Sequence, residues 1–288
     1  VGTSLLFPVD ARPFLKWAGG KTQLLPELLA RVPVAFGRYH EPFVGSGALF
    51  FALRARSLGA KACLSDANGP LVEAYKAIRD DVEGVIASLS THENVEAHFY
   101  RVRALDPRTL PPPERAARIL YLNRTCFNGL YRENRNGQFN VPFGRYANPR
   151  ICDGENLRAV SRELKGVVVS RREYAGVLKI AKPGDLVYFD PPYQPVSTTS
   201  SFTGYDRHGF GEGDQRRLRD VFAELASRGV HVLLSNSDTP LVRELYEGFR
   251  IDRVWASRSI NSKGDRRGKV AEVIVVAGPP YSFAGAAP

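Results

Sequence analysis

Residues 39–66 read as a strand, a glycine turn, a helix and a second strand closed by a carboxylate, and that order commits this end of the chain to a βαβ unit. Tyr39 to Val44 is the strand, Gly45-Ser46-Gly47 the turn, Ala48 to Leu58 the helix, and Ala60 to Ser65 the second strand, ending at Asp66. The alternation returns at Val167 to Ser170, at Asp185 to Phe189, in a helix over Glu212 to Arg228 and in the apolar run Val230 to Ser235. Ile251 to Ser259 and Val270 to Ala277 read as an antiparallel pair joined by the polar, basic loop Asn261 to Lys269. The expected class is α/β, with a mostly parallel, doubly wound sheet carrying an antiparallel edge.

The pattern changes between Asn68 and about Arg150. Helical periodicity over Leu71 to Ile78 and Arg115 to Leu122 gives way to a stretch rich in Gly, Asn and Arg. Pro111-Pro112-Pro113 divides two helical parts, since proline cannot continue a helix interior. The segment from Asn128 to Asn140 has the turn chemistry of a hairpin, with Asn136-Gly137 as the predicted type I′ turn. We therefore expect residues 68–150 to form a mainly helical insert carrying a β-hairpin, and residues 1–67 with 151–288 to form the main domain.

Forty Lys and Arg against thirty Asp and Glu give a net charge of +10. The excess suits a polyanionic partner such as nucleic acid, and a generally basic surface explains it equally well. Cys63, Cys126 and Cys152 are too scattered for a disulfide framework or a CxxC pair, which suggests a reducing cytoplasm and no metal. The first fifteen residues lack a basic segment ahead of an apolar one, and no apolar run approaches the roughly 20 residues of a membrane span. The expectation is a cytoplasmic protein without membrane association, and a monomer.

Two motifs carry chemistry. Glu41-Pro42-Phe43-Val44-Gly45-Ser46-Gly47 turns a strand into a helix start, where glycines let a ligand approach the backbone and free amides favour polar groups. Asp66, at the end of the next strand, is placed to accept hydrogen bonds from both hydroxyls of a ribose. Together they suggest a nucleoside-containing cofactor, although a tight strand-to-helix turn needs glycine in any case. Asp190-Pro191-Pro192-Tyr193 follows the apolar strand Leu186 to Phe189 and sets a carboxylate, a carbonyl and an aromatic ring at the sheet edge. An adenine amine is a poor nucleophile because its lone pair is delocalised into the ring. If the Asp190 carboxylate and the Pro191 carbonyl each accept one N6 hydrogen bond, the nitrogen can pyramidalise, with Tyr193 stacked on the base. Such access requires the base to leave the duplex.

These motifs, with Phe14-Leu15-Lys16-Trp17-Ala18-Gly19-Gly20-Lys21, Leu122-Asn123-Arg124, Phe127-Asn128-Gly129-Leu130, residues 137–146, Ser235-Asn236-Ser237-Asp238-Thr239, Arg258-Ser259-Ile260 and residues 268–272, resemble the Dam-type DNA adenine-N6 methyltransferases over nearly the whole chain. The order of cofactor turn, insert and catalytic motif is that of the family's alpha group. The resemblance implies a Rossmann-like methyltransferase sheet, S-adenosylmethionine as methyl donor, double-stranded DNA as partner, and the insert as the target-recognition region. It implies that Trp17, Lys21, Phe43, Gly45, Gly47, Asp66 and Asp190 hold the cofactor, and that Asp190, Pro191, Pro192 and Tyr193 are catalytic. Lys16, Phe127, Asn128, Leu130, Arg132, Pro142 and Tyr146 would meet DNA, with GATC as the target. It also implies a bacterial or phage enzyme that works on DNA in the cytoplasm, either beside a restriction nuclease or in replication and repair. Phe127 stands where some members carry tyrosine, which loses a hydroxyl and keeps the stacking surface. An N4-cytosine methyltransferase, an RNA or protein methyltransferase, and an inactive DNA-binding relative are the competing readings.

Overall fold

The computed structural model describes residues 10–17, 21–195, 210–257 and 269–279. The Ala18-Gly19-Gly20 turn, the Arg258-Ser259-Ile260 motif, Gly268 and the basic loop with Arg266 and Arg267 lie outside them. Among the described residues no helix is long and apolar enough to cross a membrane.

Seven strands form one sheet: β1 (Tyr39–Glu41), β2 (Ala62–Asp66), β3 (Val168–Arg171), β4 (Leu186–Phe189), β5 (His231–Ser237), β6 (Arg250–Ser257) and β7 (Lys269–Ala277). Their order is β3-β2-β1-β4-β5-β7-β6. The first five run parallel, and β7 inserts antiparallel between β5 and β6. This is the Rossmann-like sheet with an antiparallel edge that the alternation predicts. Helix α1 (Leu25–Leu29) precedes β1, the crossover from β1 to β2 is α2 (Ala48–Arg54), and α7 (Gly154–Leu164) and α8 (Glu212–Ser227) lead into β3 and β5.

Side chains alternate across the sheet as the pleat requires. Leu186, Tyr188, Leu233 and Ile274 join one hydrophobic cluster, and Val187, Phe189, Val232, Leu234 and Val273 join the other. Helices cover both faces, so the central strands are apolar throughout. The first cluster runs on without a break into the insert, through Phe99, Tyr121, Phe139 and Val141. There the chain forms α3 (Gly69–Asp80), α4 (Val82–Leu89), α5 (Glu96–Ala104) and α6 (Pro112–Thr125), with α3 packed against both the sheet and α6. The proline triplet does separate two helices, because Pro112 and Pro113 occupy the first turn of α6, where no amide is needed.

Three local expectations are corrected. The helix after the glycine turn stops at Arg54 rather than Leu58, because Ser57 adopts a left-handed φ of 57° and the Leu58 amide bonds back to the Leu53 carbonyl, a Schellman-type stop. Strand β5 continues to Ser237, since its antiparallel neighbour pairs Ser235, Asn236 and Ser237 with Ile274, Val273 and Glu272. The hairpin turn is not type I′, which needs positive φ at both Asn136 and Gly137. Only Gly137 has it, at 76°. The Asn134 carboxamide oxygen accepts the amides of Asn136 and Gln138, and its carbonyl accepts from Gly137, so the turn closes one residue earlier than expected. Glu133 and Phe139 form the bridge behind it.

Candidate active site

Parallel strands deliver their following loops to one edge of the sheet, and the two chemical motifs follow adjacent strands, β1 and β4. Strand β1 ends at Glu41 because Pro42 has no amide to continue the ladder. Gly45 and Gly47 then take φ of 46° and 67°. A Cβ at Gly45 would lie 2.9 Å from Trp17 Cδ1, and one at Gly47 would lie 2.7 Å from the Tyr75 hydroxyl, so the turn is also sterically reserved for glycine. The Asp66 carboxylate accepts the Gly45 amide at 3.2 Å and the Asn68 amide at 2.9 Å, which ties the ends of β1 and β2 together. Each carboxylate oxygen can accept more than one hydrogen bond, so these contacts are compatible with a ribose. Trp17 stacks on Tyr131 of the insert at 5.2 Å between ring centroids. Phe43 stacks on Tyr174 at 5.2 Å and meets Phe189 and Phe210 edge-on. Trp17, Gly45, Gly47 and Asp66 thus share one cradle. Phe43 flanks it within an aromatic cluster.

Beyond β4 lies the second group. Lys21 Nζ sits 2.9 Å from Asp190 Oδ1, with the lysine side chain 7% and the aspartate side chain 20% exposed. The Ser235 hydroxyl donates to the same oxygen at 3.0 Å and is itself 2.9 Å from the Tyr188 hydroxyl. Both donors meet Oδ1, and among the described residues no donor meets Oδ2. Burial pushes the Asp190 carboxyl above the usual carboxylate range, while Lys21 and Ser235 pull it back down. Burial also raises the Glu41 carboxyl well above its ordinary value, although Tyr39 donates to it at 2.9 Å. Lys21 Nζ also donates to the Tyr193 hydroxyl at 2.6 Å and lies 3.8 Å from the centre of its ring.

The turn itself is held from outside. Gln215 on α8 donates to the Pro192 carbonyl at 3.0 Å, the Gln194 amide donates to Asn236 Oδ1 at 3.0 Å, and Asn236 donates to Gln215 at 3.1 Å. Among the described residues no donor meets the Pro191 carbonyl. The motif therefore presents two acceptors, Asp190 Oδ2 and the Pro191 carbonyl, beside an aromatic ring. Sequence reading singled out Asp190 and Tyr193 and gave no role to Ser235, Gln215 or Glu272, whose signals are single polar residues inside or beside apolar runs.

The third group lies on the insert and the N-terminal segment. Asn123, fully buried in α6, accepts the Lys16 amide at 2.8 Å and donates to the Lys16 and Gly129 carbonyls. The Lys16 ammonium lies 5.1 Å from the Tyr146 ring centre. The Phe127 amide donates to the Pro142 carbonyl at 2.8 Å, and the Phe127 ring is 51% exposed ahead of Asn128, whose φ is 56°. Arg132 is exposed and spends Nε on Asn140 Oδ1 at 2.8 Å. Leu130 is half-buried against the core. Lys16, Phe127, Pro142 and Tyr146 are thus tied to one another or to α6 through short links, and Arg132 is exposed on the hairpin.

A family model described as D12 class N6 adenine-specific DNA methyltransferase matches residues 17–260. The chain is 44% identical over 275 residues to the type II methyltransferase M1.LlaDCHI of Lactococcus lactis subsp. cremoris, covering 93% of this chain and 95% of that one. It is 40% identical over 277 residues to the type II methyltransferase M.MjaIII of Methanocaldococcus jannaschii, covering 90% and 96%. It is 35% identical over 272 residues to the DNA adenine methylase of Escherichia coli K12, covering 93% and 96%.

Proposed function

This chain belongs to the D12 class of N6 adenine-specific DNA methyltransferases, the premise from which we propose that it methylates the adenine of GATC in duplex DNA after turning that base out of the helix. The observation that carries this reading is the Asp190 group: a carboxylate steadied on one oxygen by Lys21 and Ser235, the Pro191 carbonyl next in the chain, and the Tyr193 ring held by the same lysine. An N6 amine donating to Asp190 Oδ2 and to the Pro191 carbonyl would have its lone pair directed away from both. A base within a duplex cannot reach an edge this enclosed, which supports flipping. Phe127, exposed on a left-handed turn, suits the wedge that takes the base's place.

The family implies S-adenosylmethionine as the methyl donor. When bound, it supplies a methyl group on a positively charged sulfur. The cradle fits a nucleoside, because the Asp66 carboxylate beside the Gly45 amide can accept further hydrogen bonds from a ribose. Trp17 and Asp66 would hold the adenosine, Phe43 would line the pocket, and Lys21 would lie between this end and the catalytic carboxylate. Asp66→Ala is expected to weaken cofactor affinity about tenfold to a hundredfold, the worth of hydrogen bonds to a charged acceptor. Calorimetric titration with S-adenosylmethionine reads this directly, and unchanged affinity removes Asp66 from the site.

Residues 68–150 would act as the recognition insert on a catalytic domain formed by 1–67 and 151–288. Lys16 would contact the first G·C pair, and Leu130, Pro142 and Tyr146 the later ones. Among the described residues no acceptor meets the two terminal nitrogens of Arg132, which would bond the O6 and N7 of the guanine paired with the final cytosine. Arg132→Ala is then expected to cost about 1–3 kcal/mol of discrimination and to release methylation at sites altered in the last base pair. Mapping N6-methyladenine on unmethylated genomic DNA treated with the purified protein and cofactor tests both statements. Wild-type methylation at another motif removes GATC, and an Arg132→Ala variant weakened equally on every sequence makes Arg132 a phosphate contact. Kinship with two type II methyltransferases supports a place beside a restriction nuclease.

A further inference from the structure

Inserting β7 antiparallel beside β5 brings the beginning of β7 to the edge where the parallel strands end. Glu272 there opposes Ser237 and is buried. Its Oε2 accepts the Tyr193 phenol hydrogen at 3.0 Å. The direction of that bond is fixed by its neighbour: Lys21 has only donors, so the phenol oxygen accepts from it at 2.6 Å and gives its one hydrogen to Glu272. Burial and the surrounding carboxylates raise the phenol well above its ordinary value, which keeps it in the donor form. A continuous chain results, Asp190 to Lys21 to Tyr193 to Glu272, drawn from three separate parts of the sequence.

We propose that Glu272 is a positioning residue for methyl transfer, holding the Tyr193 ring in the plane on which the target adenine stacks. The proposal rests on the reading of Tyr193 as the stacking surface. A tyrosine ring can turn about two side-chain torsions, and Lys21 alone ties it to a partner that is also drawn toward Asp190. Glu272 adds an anchor on a strand paired on both sides, through β5 and β6. With the ring fixed, the amine of a stacked base meets Asp190 and Pro191 in one orientation, and reactions of this kind lose rate steeply with small misplacements.

The test uses the full chain, duplex DNA carrying the site mapped for the wild type, and the variants E272Q, E272A, Y193F, Y193F/E272Q and Y193F/E272A. E272A is expected to lower kcat about tenfold to a hundredfold, as loss of a charge-assisted hydrogen bond in the transition state predicts. KM for DNA and for S-adenosylmethionine should stay within about threefold, as for a contact that matters chiefly in the transition state. E272Q, whose amide oxygen still accepts from the phenol, should recover much of the rate. In the Y193F background E272A should cost less than about twofold, because residues acting through one bond are not additive. Wild-type kcat in E272A overturns the proposal, as does a full additional loss in Y193F/E272A. Should E272A not fold, the same comparison is made with E272M, which is close in size and cannot accept from the phenol, against Y193F/E272M, and an equal loss in both backgrounds overturns the proposal. A Y193A variant at wild-type rate would remove the stacking reading itself, whereas an inactive Y193A beside a fully active E272A would remove Glu272 alone.

Discussion

Replacing Asp190 with alanine is expected to lower methyl transfer by about 10²–10⁴-fold, the range associated with removing a group that acts on the reacting atom's protons, while the fold and DNA binding stay largely intact. In the proposed reading the carboxylate is the acceptor beside Pro191, and the ion pair and hydrogen bond on Oδ1 would leave Oδ2 for the amine. The pH dependence has a definite sign. Only the ionised carboxylate accepts both from Lys21 and from an amine, and burial raises its pKa. Activity should therefore climb as pH rises through a value above the ordinary carboxylate range, near 4. Ser235→Ala, which removes a hydrogen bond that favours the charged form, should move that acid limb higher. Rates at saturating DNA and cofactor across pH measure both effects. An Asp190→Ala enzyme near wild-type rate, or an acid limb unmoved by Ser235→Ala, contradicts this account of the site.

Much of this arrangement was legible because each motif is local. The Gly45 and Gly47 turn is written in seven consecutive residues and imposed by backbone conformation, and the Asp190 turn is stiffened by its own two prolines. The alternation of strand and helix was enough for the sheet class. What the motifs could not show is which distant side chains complete them. Ser235 is 45 residues from Asp190, Glu272 is 79 from Tyr193, and Lys21 is 172 from Tyr193. Those meetings depend on the strand order, above all on β7 entering between β5 and β6, which no periodicity encodes. The hairpin turn failed for a different reason. Asn136-Gly137 has the right chemistry for a two-residue turn, but Asn134 two residues earlier captures the same amides with its side chain, and one competing carboxamide moves the turn.

Lys21→Met is the second substitution expected to have a large effect, and it separates holding the cofactor from holding the carboxylate proposed as catalytic. Methionine keeps the length and apolar stem and removes the ammonium, so Asp190 loses its ion-pair partner in a site where the lysine side chain is 7% exposed. Breaking a buried pair costs about 3–5 kcal/mol, and since Asp190 keeps a fifth of its side chain exposed the lower end applies. Asp190 answers that cost by holding its proton more tightly, because the Lys21 charge and hydrogen bond are what lower its pKa against burial. At neutral pH methyl transfer should fall about a hundredfold, the rate equivalent of roughly 3 kcal/mol, and part of it should return as pH rises. Stability should move the other way. A carboxyl whose folded pKa exceeds its unfolded value binds more protons when folded within that window, so unfolding free energy declines as pH rises through it. Two measurements on one variant, rate against pH and denaturant midpoint against pH, should therefore trend in opposite directions above the usual carboxylate range. If Lys21→Met instead raises KM for S-adenosylmethionine and leaves the pH profile of kcat and the stability trend at their wild-type form, then Lys21 serves the cofactor alone and Asp190 is kept ionised by something else.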